Sequence, residues 1–596
     1  MGDEKIQMEM EKGLFGNTIK VLLAIIILRC FYLQVLRGNH YYQLSIRNCI
    51  RIVETGTPRG VIYDRNKRPL AKDTPSLQLV FIPYDLDSPE AEAELLSKLI
   101  SIDKTSLLKK LTSKYSNPFD RIVLKKKLTT AEVSLIEENA SKLGGIFIQE
   151  GLLREYPLGQ ATAHILGYVG EISEKQLQLL SFKNAGLKSG AVIGQDGIEK
   201  MYDQYIRGIS GGVEVEVDAR GYHGKTLGKK QSIPGNNLIL TIDQTIQEIV
   251  DVELGGRQGS VVAMDPRNGQ ILALVSKPAF DAENLKEYFT KKGHPFLNRA
   301  IKGQYSPGSV FKIITAFSAL ESGNIAEYDR VECRGSIEVG NRVFKCWNLD
   351  GHGWLDINRA LPFSCNVFFG TIGMRAGVSK MIEFAKMFEL GKATGIDLPE
   401  EKSGFVPDKS MVDALNLSIG QGPLLVTPLQ LVSLISTVAN GGNIWKPYIV
   451  KEITDSNDNV IKEFAPIIKK TVFISSDSME IVKRGLKNVM VFGTGGRYKL
   501  ENIEIAGKTG TVQRAQSELG LGTHGFFACY APADNPRIAM VVFLDRASGP
   551  EATVVASRIL KKVFAQGEEI DDENENSDVS EEETETVEEV ENVEIF

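Results

Sequence analysis

At 596 residues the chain is too long for one compact domain, and its 42% hydrophobic and 24% charged residues mark ordinary globular protein rather than a fibrous or wholly disordered chain. Its formal charge of −7 hides an asymmetry: 15 acidic residues and no Lys or Arg lie between Glu568 and Glu594, and removing them leaves +8 on the rest. That mildly basic body suits anionic surroundings, and no nucleic-acid-binding motif accompanies it.

Residues 1–13 form a short polar leader, expected on the cytoplasmic side. From Leu14 to Leu36 runs mostly apolar sequence, Ile19-Lys-Val-Leu-Leu-Ala-Ile-Ile-Ile-Leu28 at its centre, and ~20 such residues suffice to cross a bilayer. No small-residue cleavage site follows, so 14–36 reads as an uncleaved transmembrane signal anchor. Arg29 is tolerable there if its side chain snorkels to an interface. Lys5 and Lys12 before the span balance Arg37 and Arg47 after it, so flanking charge does not fix orientation.

Residues 37–237 read as an N-terminal domain. Thr57-Pro-Arg-Gly-Val-Ile-Tyr-Asp-Arg65 is a turn-and-strand stretch, and 84–150 is rich in helix formers. Gly194 to Gly212 brackets a helical segment with glycines, and Val213-Glu-Val-Glu-Val-Asp218 alternates like a half-exposed strand.

The character changes at 238. Leu238–Asp243 reads as a strand and Gln244–Leu254 as an amphipathic helix. Gly259–Met264 and Gln270–Val275 form a hairpin through Asp265-Pro-Arg-Asn-Gly269. Helices dominate from 309 to 440. Strands return at Ile503–Ala506, Phe526–Tyr530 and Ile538–Leu544, before a last helix near Ala552–Phe564. Strands, helices and strands closing one antiparallel sheet make an α+β plan over 238–566. Residues 567–596 form an acidic tail with too little apolar surface to offset its ordering entropy, expected to be disordered.

Three short motifs carry the chemistry: Ser309-Val-Phe-Lys312, Ser364-Cys-Asn366 and Lys508-Thr-Gly-Thr511. On a helix, residues three apart share a face, so Ser309 and Lys312 can meet. A serine hydroxyl needs a base, and lysine qualifies when burial and a nearby cation, here Lys508, lower its pKa. Amides at the helix start point at an oxyanion forming beside Ser309. Ser364 can relay a proton, and the Asn366 amide can hold a substrate carbonyl or the lysine. Ala506–Val512 reads as an edge strand: Gly510 admits a peptide backbone, and Lys508, Thr509 and Thr511 supply the charge and hydroxyls that hold a terminal carboxylate. A P-loop is excluded, because Asn502 stands where its first glycine belongs. Gly493-Thr-Gly-Gly496 reads only as a loop.

In this order and spacing the three motifs form the signature of penicillin-binding proteins and β-lactamases. Pro58–Arg65, Gly197-Ile-Glu-Lys-Met-Tyr-Asp203, Arg220-Gly221 and Pro307–Lys312 resemble the class B penicillin-binding proteins, monofunctional D,D-transpeptidases of bacterial cell walls. Phe344-Lys-Cys-Trp347, Gly351-His-Gly353, Ser418-Ile-Gly-Gln-Gly422 and Thr427-Pro428 look most like the elongation-type branch. The resemblance implies an elongated N-terminal pedestal (dimerisation-like) domain and a penicillin-binding, β-lactamase-like domain with helices on both sides of its sheet. It implies Ser309 as acylated nucleophile, Lys312 as base, Ser364 and Asn366 as second motif, and Lys508, Thr509 and Thr511 as anchors of the donor carboxylate. The amides of Ser309 and Thr511 would form the oxyanion hole. Partners implied are peptidoglycan stem peptides ending in D-Ala-D-Ala, β-lactams, the membrane, a SEDS-type glycosyltransferase and other elongation-complex proteins. The cytoplasmic membrane would hold the anchor, with the catalytic domain outside. The chemistry requires no cofactor. A division-specific transpeptidase, a β-lactam sensor and a D,D-carboxypeptidase are the alternatives.

Cys333, Cys346, His352 and Cys365 stand 13, 6 and 13 residues apart. Three thiols and an imidazole satisfy tetrahedral zinc, and elongation-type relatives are thought to hold zinc near this place, with a carboxylate where this chain has a cysteine. A Cys333–Cys346 disulfide with Cys365 buried is the competing reading.

Overall fold

The computed structural model describes residues 19–39, 41, 50–113, 118, 121–179, 187, 190–217, 223–513 and 522–582. The leader 1–13, Arg47, Cys49 and the Arg220-Gly221 pair lie outside the described residues.

Helix Ile19–Leu36 is 18 residues of apolar sequence with none of it buried in protein. At ~1.5 Å per residue it approaches the ~30 Å of a hydrocarbon core, which fits a single-pass anchor. Its last turn, Tyr32–Leu36, is a π-helix, and the Arg29 guanidinium lies over the Tyr32 ring at 5.2 Å. The costly cation thus has an aromatic partner.

Two compact units follow from the packing: residues 1–58 with 208–235, and 59–207 with 236–596. The first contains a three-stranded antiparallel sheet of Ile50–Thr55, Gly211–Val217 and His223–Lys230, with Gly211–Val217 in the middle. The alternation read at Val213–Asp218 is that central strand. Residues 59–207 pack in one unit with 236–596.

Inside the second unit, two of the resemblance motifs meet in a buried ion cluster. Arg59 donates to Glu199 at 2.8 Å and to Asp203 at 3.0 Å. Arg154 donates to Glu199 at 2.7 Å and to Asp73 at 3.1 Å. Burial would lower the Arg59 pKa, but the Glu199 and Asp203 carboxylates outweigh it and hold the guanidinium charged. Gly60 has no side chain because a Cβ there would meet the Asn236 carbonyl at 1.8 Å. Helices Pro89–Leu99, Lys104–Leu111 and Thr130–Glu138 pack around Leu79 and Phe81 in a separate small core.

The C-terminal half is built on one sheet. Helix α1 (Gln244–Leu254) starts at Asp243, whose carboxylate accepts from the Thr245 and Ile246 amides. Strands β1 (Gly259–Met264) and β2 (Ile271–Lys277) form the expected hairpin. Helices α2 (Lys312–Glu321), α3 (Asn366–Ala376) and α4 (Pro428–Ala439) follow. Strands β3 (Ala506–Gln513), β4 (Thr523–Ala531) and β5 (Ile538–Asp545) complete an antiparallel sheet of order β2–β1–β5–β4–β3. Every residue of β1 is buried, because helices cover both faces. On one face Val261, Phe527, Met540 and Val542 pack with α1 and α5 (Gly549–Glu582). On the other, Val262, Phe526, Val541 and Phe543 pack with α2 and α4.

Two elements depart from the sequence reading. The stretch 331–355, placed among helices, contains two small antiparallel pairs, Val331–Cys333 with Gly353–Leu355 and Ser336–Val339 with Arg342–Lys345. Helix α5 runs to Glu582, past the boundary at 566 set for a disordered tail. Glu is a good helix former, so a Glu-rich run can continue a helix that the preceding residues have nucleated.

Candidate active site

Pro307 and Gly308 lead into a 3-10 turn, Gly308–Phe311, that passes directly into α2. Gly308 has φ +54°, and a Cβ there would meet Val512 at 2.4 Å. Its amide donates to the Gly420 carbonyl at 3.1 Å, so the Ser418–Gly422 motif closes behind the turn. Ser309 is half-buried on this turn, one helical turn before Lys312.

Lys312 is fully buried at the start of α2 and reaches the second motif. Its Nζ donates to the Ser364 carbonyl at 2.7 Å, the Ser364 hydroxyl at 3.2 Å and Asn366 Oδ1 at 2.8 Å. Ser364 holds the left-handed conformation, φ +53°, which a non-glycine residue adopts at a cost of about 1–3 kcal/mol. In that conformation its carbonyl and hydroxyl both face Lys312. Burial lowers the Lys312 pKa to about 7, against the opposing effect of the Cys365 and Cys346 thiols. A neutral amine keeps two N–H donors for the Ser364 carbonyl and Asn366 and frees one lone pair to accept a proton. Lys508, on β3, is also fully buried and lowered well below its ordinary value, by burial and then by the Lys312 charge. The sequence assigned part of the Lys312 shift to Lys508. Burial carries that shift, and the like-charge repulsion is expressed at Lys508.

β3 is the edge of the sheet, as the third motif requires. A Cβ on Gly510 would crowd Pro307 and Val310 at 3.3 Å, so the glycine lets the strand lie against the Ser309 turn. Lys508 Nζ donates to the Thr509 carbonyl at 3.1 Å. Thr511 Oγ1 accepts from the Gly549 amide at 2.9 Å. Thr509 Oγ1 lies 2.7 Å from Thr494 Oγ1, a contact with a loop the sequence reading set aside. Its Gly-Thr-Gly-Gly pattern was the one signal that it makes a close approach.

All four cluster residues come together as well. One ligand atom from each of Cys333, Cys346, His352 and Cys365 lies within 4.8 Å of every other. His352 Nδ1 is 3.6 Å from both Cys333 Sγ and Cys346 Sγ, and Cys346 Sγ is 4.0 Å from Cys365 Sγ. Tetrahedral zinc with Zn–S ~2.3 Å and Zn–N ~2.0–2.1 Å sets S···S at about 3.8 Å and S···N at about 3.6 Å, so the donor set fits. The thiols are free, and no disulfide joins Cys333 to Cys346. Gly335 and Gly351, both at positive φ, allow the crossing: a Cβ on either would strike the Leu349 or Cys333 carbonyl. Cys365 also caps α3, its sulfur accepting from the Phe368 amide at 3.4 Å. One residue thus joins the cluster to the second motif.

A family model for the penicillin-binding protein transpeptidase domain matches residues 259–565, and one for the penicillin-binding protein dimerisation domain matches 54–240. The chain is 29% identical over 579 residues to the peptidoglycan D,D-transpeptidase MrdA of Acinetobacter baumannii, covering 91% of this chain and 85% of the relative. It is 30% identical over 545 residues to stage V sporulation protein D of Bacillus subtilis, covering 89% and 80%. Among solved structures it is similar to the penicillin-binding protein PBP2 in the complex with MreC from Helicobacter pylori. That match has a TM-score of 0.74 at 25% identity and covers 87% of this chain and 99% of the other.

Proposed function

The chain belongs to the penicillin-binding protein transpeptidase family, and from that premise we propose how its residues perform the reaction of a class B, elongation-type peptidoglycan D,D-transpeptidase. The enzyme joins stem peptides through a serine acyl-enzyme. The observation that carries the assignment of residues is the buried Lys312, bonded to both ends of the second motif with a pKa near neutral.

In this reading neutral Lys312 takes the proton of Ser309 Oγ as that oxygen attacks the carbonyl carbon of the penultimate D-alanine. The carbonyl electrons move onto oxygen, and the Ser309 and Thr511 amides donate hydrogen bonds to that oxyanion. The amide C–N bond then breaks, and the proton passes from Lys312 through the Ser364 hydroxyl to the departing D-alanine amine. An amine of a neighbouring stem peptide attacks the ester and loses its proton to the same relay, and Ser309 is released with its proton restored. Lys508, Thr509 and Thr511 hold the donor carboxylate while Gly510 admits its backbone.

Cys333, Cys346, His352 and Cys365 would hold zinc. Bound there, it would tie the 333–352 loops to the residue beside Ser364 and Asn366, a bracing role outside the chemical steps. We place the pedestal at 37–237 and the catalytic domain at 238–566, supported by the two family matches. The apolar helix supports a single-pass anchor, and the wall chemistry is the ground for placing the catalytic domain outside the cytoplasmic membrane. The MreC complex of a similar protein supports elongation-complex partners, and a SEDS-type glycosyltransferase is the partner that the resemblance implies.

The test is a donor peptide ending in D-Ala-D-Ala mixed with an amine acceptor. Wild type releases D-alanine and forms the cross-linked product. Ser309→Ala does neither. Product formed equally by Ser309→Ala would remove the assignment.

A further inference from the structure

The loop Gly493-Thr-Gly-Gly496 follows helix Ser476–Val491 and is tied down at every residue. The Gly493 amide donates to the Asn488 carbonyl at 3.1 Å, Thr494 to Pro362 at 3.1 Å, Gly495 to Val489 at 3.0 Å and Gly496 to Gly493 at 3.1 Å. Gly493 is pressed so closely that a Cβ would lie 2.5 Å from the Pro362 carbonyl. The loop therefore bridges the residues just before Ser364 and the third motif, and it delivers one side chain, Thr494, to Thr509.

The two hydroxyl oxygens are 2.7 Å apart, the usual O–H···O length, so a single proton lies between them. Thr511 offers a parallel on the same strand. Thr509 and Thr511 are two apart on β3 and share a face. The Thr511 oxygen accepts from the Gly549 amide, which can only donate, and the Thr511 proton is thereby left for another acceptor. If Thr494 donates to Thr509, the Thr509 proton is freed in the same way. Both hydroxyls then offer donors to one anion.

We infer that Thr494 is a positioning residue that fixes the Thr509 hydroxyl as a donor to the substrate carboxylate and so sets the preference of the site for a terminal carboxylate. This rests on the reading of Ser309 as nucleophile and β3 as carboxylate anchor. It adds a residue outside the three motifs.

The experiment measures second-order acylation of the full chain by benzylpenicillin and by its uncharged methyl ester. The proteins compared are wild type, Thr494→Val, Thr494→Ser and Ser309→Ala, with melting temperatures confirming that each is folded. Thr494→Val should lose about tenfold or more with the free acid, the order expected for a hydrogen bond to a charged group. It should stay within about twofold of wild type with the ester, and Thr494→Ser should recover the free-acid rate. Unchanged free-acid acylation in Thr494→Val, or equal slowing with both probes, overturns the inference. Acylation of Ser309→Ala would instead overturn the catalytic reading beneath it.

Discussion

Ser364 meets Lys312 twice, through its carbonyl at 2.7 Å and its hydroxyl at 3.2 Å. One residue in a left-handed conformation therefore orients the buried amine and offers it a route for its proton.

The first prediction concerns pH. Burial sets the Lys312 pKa at about 7, and only the neutral amine accepts the Ser309 proton. Acylation by a β-lactam should rise with pH through about 7 and level off above it. Lys312→Arg, which stays charged at every accessible pH, should abolish acylation. A flat pH profile in stopped-flow acylation contradicts this role.

Asn366 accepts from Lys312 at 2.8 Å. Asn366→Asp puts a carboxylate in that place, which favours the ammonium. The midpoint of the acylation–pH profile should move upward by roughly one unit or more. A variant that is slower at every pH with an unmoved midpoint would show that Asn366 acts on substrate rather than on the base.

Glu199 is buried between Arg154 and Arg59. Burial would raise its pKa, and the two guanidinium groups outweigh that and hold it below the ordinary carboxylate value. A depressed carboxyl contributes stability that is present above its unfolded pKa of about 4.3 and is lost as pH falls through the folded value. Glu199→Gln should destabilise the protein by ~3–5 kcal/mol at pH 7 by leaving two buried cations undercompensated. The gap to wild type should narrow as pH falls below about 4. Denaturant midpoints at the two pH values measure both effects.

Purified protein should carry about one zinc per chain, since the cluster offers four ligands. Cys365→Ser should reduce that content, and chelation should lower the melting temperature. Metal-free wild type with a Cys333–Cys346 disulfide would favour the competing chemistry.

The three motifs were legible because acyl transfer requires particular residue types at particular separations, and the strands of the main sheet because buried strands are continuous apolar runs. The edge strand expected at Ala506–Val512 stands at Ala506–Gln513, while Ile503–Ile505, apolar enough to suggest a strand, pairs with nothing as one. The hairpin of Ser336–Val339 with Arg342–Lys345 is too short to declare a period of two. The Arg59–Glu199 contact joins residues 140 apart, and no local pattern reveals such a pair. Thr494 escaped notice for the same reason: its meaning depends on Thr509, which only the fold brings to it.

The central claim is that Ser309 is the acylated nucleophile. Peptide mapping of the full chain after treatment with a labelled penicillin tests it most directly. The account predicts one adduct, on Ser309, absent from Ser309→Ala. An adduct on another residue, or its persistence in Ser309→Ala, would contradict it.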